Sequence, residues 1–168
     1  MRILLAVFAL VLAGATPALA QSNSGNAAQT RDDRLVRSVT VEDLKAIVLA
    51  EGHTVNWVGN SGPVSVGGKT RDGLLFDLIG RACEEPGVIG CLGIAMQVTY
   101  DIDSRLTLEK INLVNSRYWG ASVWLDEEGG RLVINRYVIL DAGVTMKNIR
   151  LNLANALAIN ANVQKEVW

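Results

Sequence analysis

From Leu74 to Tyr100 the chain reads as two long strands joined by a short loop with a cysteine at each end, and this stretch restricts the available folds more than any other. Folding Leu74–Cys83 back on Cys91–Tyr100 with Cys83 opposite Cys91 pairs Ala82 with Leu92, Gly80 with Ile94, Leu78 with Met96, Phe76 with Val98 and Leu74 with Tyr100. One face of the pair is then wholly apolar. The other carries Arg81, Asp77, Gln97 and Thr99 beside Ile79, Leu75 and Ala95, the period-two asymmetry of a sheet with one face on a core. A one-residue slip would bury Asp77, Arg81 and Gln97, so the register is strongly specified.

The rest of the chain supplies helices and further strands around this hairpin. Thr40 caps a helix predicted over Val41–Glu51, with Asp43 at the third helical position, a stripe of Leu44, Ile47, Val48 and Val41, and Gly52 as its stop. Thr54–Val58 is a short strand around Trp57, and residues 59–63 form a turn cluster. Val64–Val66 continues that strand, and Gly67-Gly68 and Arg71-Asp72-Gly73 lead into the hairpin. After a turn at Asp101–Arg105, Thr107 caps a second helix over Leu108–Arg117, with Leu108, Ile111, Val114 and Tyr118 as its core contacts. Trp119–Leu125 and Arg131–Leu140 flank the acidic, glycine-ended loop 126–130 and read as a second hairpin. Thr145 then caps a terminal helix from Met146 to about Lys165. The order αβββαββα, with strands grouped as hairpins between helices, gives an α+β class: an antiparallel sheet with helices on one face.

Ahead of the domain, Met1-Arg2, the apolar block Ile3–Gly14 and Ala18-Leu19-Ala20 have the form of an export leader cleaved after Ala20. The apolar run is well short of the ~20 residues a spanning helix needs, so no transmembrane segment is expected after cleavage. Residues 21–38, polar and without apolar periodicity, read as a flexible tether, which leaves 39–168 as a single α+β domain. Removing Arg2 with the leader leaves fifteen basic against seventeen acidic groups, a net charge of −2 with His53 neutral. Those charges are scattered, and no nucleic-acid footprint is present. A periplasmic or secreted setting oxidises thiols, so Cys83 and Cys91, the two cysteines of the chain, are expected to form one structural disulfide. Closing so short a loop stabilises by roughly 2.5 kcal/mol on the chain-entropy model.

No constellation in the sequence carries catalysis. His53 is the one histidine and has no thiol, second imidazole or carboxylate pair to work with. Asp101 and Asp103 lack the glycine and terminal glutamate of a calcium loop and read as turn residues; Asp126, Glu127 and Glu128 read as a solvated hairpin tip. No serine sits in a nucleophile elbow, and no glycine pattern opens a helix after a strand. Trp57, Trp119, Trp124 and Trp168 read as core or edge packing, because no basic stripe accompanies them. No catalytic residue, metal site or cofactor is therefore assigned.

The capped first helix ending in Glu51-Gly52, the hairpin with Phe76 and paired cysteines, Leu106–Asn115 with Asn112 and Asn115, then Tyr118, Leu125-Asp126 and Gly143-Val144-Thr145 follow one another in order. In this order, residues 40 to about 164 resemble the YbjN domain family of bacterial proteins. That resemblance implies a fold similar to type III secretion chaperones, no enzymatic activity, and a sensory-transduction regulator label. The chaperones bind partner proteins, commonly as dimers. The leading functional expectation is thus a non-catalytic periplasmic module that binds a protein partner; a carrier of a small apolar ligand between sheet and helices is the alternative, and an unrecognised hydrolase the remote one. The final helix points to where contact would occur. Ile149, Leu153, Ala156, Leu157 and Asn160, extended by Met146 and Val163, form its sheet-facing stripe. Leu151, Ala154 and Ala158, with Asn162, lie on a second side, and no charge occurs from Leu151 to Gln164. That side is expected to meet a second copy of the chain or the protein partner, or else to be covered within the monomer by a loop or the strand near Trp57.

Overall fold

The computed structural model describes residues 32–59 and 64–168. The expected leader with its cleavage point, the part of the expected tether from 21 to 31, and residues 60–63 of the expected turn cluster lie outside them. Three helices are present among the described residues: α1 (Val41–Ala50), α2 (Leu108–Arg117) and α3 (Met146–Val167). A six-stranded antiparallel sheet is built from β2 (Thr54–Val58), β3 (Ser65–Lys69), β4 (Leu75–Arg81), β5 (Gly93–Asp101), β6 (Ser122–Asp126) and β7 (Arg131–Ile139) in the order β2-β3-β4-β5-β7-β6. Two short strands, β1 (Leu35–Val36) and β8 (Val144–Thr145), pair separately. The α+β class stands as expected.

The central hairpin has the register its sequence pattern demands. Leu78 faces Met96, Gly80 faces Ile94 and Asp77 faces Gln97, and the pairing continues as Leu92 N–H donates to Ala82 O at 3.1 Å. Cys83 and Cys91 stand opposite one another with Cα atoms 3.9 Å apart. Cys91 also exchanges both backbone hydrogen bonds with Val39, just ahead of α1. Gly90, at φ +94°, is required there because a Cβ would collide with the Val39 carbonyl.

Phe76, Leu78, Ile94, Met96 and Val98 are buried beneath Leu44, Ile47 and Val48 of α1 and Ile149, Leu153 and Ala156 of α3. A second apolar cluster joins Ile111 and Val114 of α2 to Val123, Leu132 and Ile134 of the sheet and Val163 and Val167 of α3. The terminal helix crosses both clusters on the stripe predicted for it, and between them Asn160 Nδ2 donates to the Tyr100 hydroxyl at 2.8 Å. Each helix begins at its expected threonine: Thr40, Thr107 and Thr145 accept from the backbone N–H three residues on. At Thr40, the Asp43 carboxylate also accepts the cap N–H at 3.0 Å, completing a capping box.

Four details of the sequence reading are corrected. Residues 65–69 do not continue β2 but form their own strand antiparallel to it, so four strands rather than three lie between α1 and α2. Gly67 and Gly68 sit inside that strand because the Trp57 indole occupies the Cβ space of one and the Phe76 ring that of the other. Leu108 is 66% exposed: steps of three residues drift around a helix, and by the first turn that drift has carried the stripe of Ile111 and Val114 past the core. Trp119 is exposed in a turn, its indole N–H on Ser116 O, and the strand starts at Ser122. Finally, the region expected to be tether up to residue 38 meets the domain earlier. Leu35–Val36 pairs with Val144–Thr145, Val36 is 2% exposed, and Asp32 accepts from Arg150 at 2.5 Å.

Candidate interaction surfaces

The helices cover one face of the sheet and leave two surfaces open. The first is the side of α3 away from the sheet. Leu151, Ala154 and Ala158 are exposed, Leu151 at 54%, so neither a loop nor β2 covers them among the described residues. Asn155, Ala161 and Asn162 are exposed around them. This side begins beyond Arg150, whose guanidinium is held by Glu51 at 2.6 Å, by Asp32 and by the Ala50 carbonyl. It ends at Lys165. An uncharged strip three turns long faces water between those two cations.

The second surface is the outer face of the sheet, which the sequence reading left without a role. Register places Trp57, Gly67, Asp77, Gln97, Asn135 and Ser122 in one row across all six strands. Beside this row lie Ile79, Ala95 and Tyr137, with Leu75, Trp124 and Ile139 exposed further out. Trp57 is 41% and Tyr137 48% exposed. Each ring lies over a glycine of a neighbouring strand: a Cβ at Gly67 would overlap the indole Nε1, Cδ1 and Cε2 atoms, and one at Gly93 would overlap the phenol end of Tyr137. Burial pushes the Asp77 carboxyl above its ordinary range, and a hydrogen bond from the Trp57 side chain opposes that shift. Asn135 Oδ1 is buried with no hydrogen-bond partner. The available signal was glycine within a strand, which marks a close approach by another group.

The remaining candidates fall into structural places. The His53 ring packs edge-on against Phe76 with centroids 5.4 Å apart. Asp103 closes the turn after β5 by accepting from Arg105 and from the Trp168 indole at 2.9 Å, which pins the chain end. No group of three or more histidine, cysteine, aspartate or glutamate residues able to hold a metal occurs among the described residues. Between sheet and helices, the space bounded by Phe76, Met96, Leu153 and Ala156 measures about 10 Å³, no more than one water requires. The described residues contain no helix long and apolar enough to cross a membrane.

Comparison with known proteins adds a family and a fold. Residues 62–167 match the YbjN family model, described as "Putative bacterial sensory transduction regulator". Among solved structures, the chain is similar to YbjN from E. coli, with 15% identity, a TM-score of 0.53, and 79% of this chain and 97% of that one covered. A chain of the ExsC-ExsE complex aligns at 14% identity and a TM-score of 0.53, covering 76% of this chain and 92% of that one. An uncharacterized protein from Methanothermobacter thermautotrophicus aligns at 13% identity and a TM-score of 0.55, covering 77% and 96%. No curated protein matches the sequence. The α+β arrangement is thus shared with these structures.

Proposed function

The chain belongs to the YbjN family, and from that premise we propose that it is a non-catalytic periplasmic module that binds a protein partner, in the regulatory manner the family description names. The observation that carries this reading is the uncharged strip around Leu151, Ala154 and Ala158, left open to water on a helix whose other side is in the core. A helix side without charge over three turns is suited to burial against another surface. The fold supports the same reading, because a chain of similar fold was crystallised in the ExsC-ExsE complex. The periplasmic setting rests on the leader pattern of Met1–Ala20, and with it goes oxidation of Cys83 and Cys91 to a disulfide. A second copy of the chain is the other occupant suited to the strip, giving a homodimer.

The test is Ala158→Glu. Crosslinking and pull-down from periplasm, with light scattering for self-association, should show a partner or dimer held by the wild-type chain and lost by the variant, while the far-UV dichroism stays unchanged. A folded variant that keeps every association would reject the strip as the contact. The carrier alternative gains no support from the space bounded by Phe76, Met96, Leu153 and Ala156, which at about 10 Å³ does not admit a ligand of several heavy atoms.

A further inference from the structure

We propose that the outer face of the sheet is a dimer interface, on which a second copy of the chain packs its own outer face about a two-fold axis running along the strands midway between β4 and β5. Leu75, Ile139, Trp57, Trp124 and Tyr137 all stand open to water on this one face. So many large apolar side chains on a single sheet face call for a covering layer. The six strands span about 24 Å and their outward rows roughly 17–30 Å, a flat area of about 550 Å² per copy. Two such faces bury about 1,100 Å² before side-chain relief is added, close to the roughly 1,200 Å² at which stable interfaces begin.

The placement of charge selects a second copy as the occupant. Three strands lie on either side of the axis, so β4 falls over β5, β3 over β7 and β2 over β6 of the second copy. Register then sets Asp77, the one carboxylate of the central row, over Gln97 of the second copy, whose amide donates to it. Arg81 falls over Gly93, where the Tyr137 ring of the second copy lies, which brings a guanidinium onto an aromatic ring. Face-packed sheets cross at about 30°, and this turn slides the outermost strands by about 6 Å, one outward-facing position. The slide carries Trp57 from Ser122 to Trp124 of the second copy, Lys69 from Val133 toward Asp101, and Leu75 onto its own counterpart at the axis. None of the ion pairs among the described residues uses Lys69 or Arg81, and Asp101, which shares Arg131 at 3.0 Å, is 86% exposed. A face that supplies the complement of its own charges fits its own copy. The helices lie on the far side of each sheet, so the α3 strip stays open in this dimer and remains free for the protein partner.

The mass of the full mature chain would be followed by sedimentation velocity over a dilution series. The wild-type chain should be a dimer at about 50 µM. Leu75→Glu, which sets two carboxylates against each other at the axis, should be a monomer with unchanged far-UV dichroism. Lys69→Glu and Asp101→Lys should each weaken dimerisation about fivefold, and the two together should restore it. Both of those side chains are exposed, so this arm decides the matter should Leu75→Glu unfold. Ala158→Glu should lose the protein partner yet keep the dimer, so failure of the α3 contact and failure of this interface give different results. The proposal is overturned if the wild-type chain is a monomer, if folded Leu75→Glu stays a dimer, if the charge swap restores nothing, or if Ala158→Glu abolishes the dimer.

Discussion

Asn115 shows how one side chain can finish a sheet. Its Nδ2 donates to the Val123 carbonyl at 2.8 Å and its Oδ1 accepts the Val123 N–H at 2.9 Å, so an amide on α2 takes the place of the next strand along β6. Edge strands with unpaired backbone groups invite association. Asn115→Ala should cost about 1–3 kcal/mol, because it strands both groups of Val123; urea unfolding checks it. Asp103 makes a pH-dependent contribution. Hydrogen bonds from the Arg105 side chain, then from its backbone N–H and the Trp168 indole, hold its carboxyl down to about 2 from 3.8. A folded-state value below the unfolded one means stability that is complete above the unfolded value and lost as pH falls through the folded one. The urea midpoint of Asp103→Asn should therefore lie below that of the wild-type chain near pH 5, with the gap closing by about pH 2. Asp103 was legible as a turn residue because the glycine and terminal glutamate of a calcium loop are missing around it. Its partner at the chain end, 65 residues away, was not.

At the scale of elements, the central hairpin was the most legible part of the molecule, because alternation along both strands specifies one pairing. The cysteine pair adds a constraint at the end of that pairing rather than setting it. Replacing Cys83 and Cys91 with serine should lower the stability of the oxidised protein by roughly 2.5 kcal/mol while leaving the β4–β5 register intact; thermal melting and cross-strand NOEs measure the two halves of this expectation. The strand at 65–69 was missed for an equally physical reason. A Gly-Gly pair reads as a turn by propensity, whereas here Trp57 and Phe76 demand glycine on opposite faces of a strand. Neither ring's direction can be inferred from neighbours in sequence.

For the whole molecule, the domain boundary is where structure departs furthest from sequence composition. Residues 32–38 look polar and aperiodic, yet Val36 fills the main core and Asp32 joins Glu51 on the Arg150 guanidinium. A chain that starts at Val39 should be destabilised by roughly 1.5–3 kcal/mol through loss of the Val36 side chain alone. Equal urea midpoints for the full and shortened chains would show that this segment contributes nothing. Leu151 also belongs to this scale, since its exposure depends on which sides of α3 the sheet and the other helices leave free.

By itself the sequence determined the helix starts, the hairpin register and the α+β class, because caps, alternation and helical stripes act over a few residues and each permits one local answer. Only the tertiary structure decided which surfaces stay open. The order β5-β7-β6 sets Asn135 and Tyr137 beside residues of β5, and the glycines under Trp57 and Tyr137 let those rings lie across neighbouring strands. Residues 10 to 78 positions apart share the outer row, and that proximity arises from strand order and side-chain direction, which no local pattern encodes.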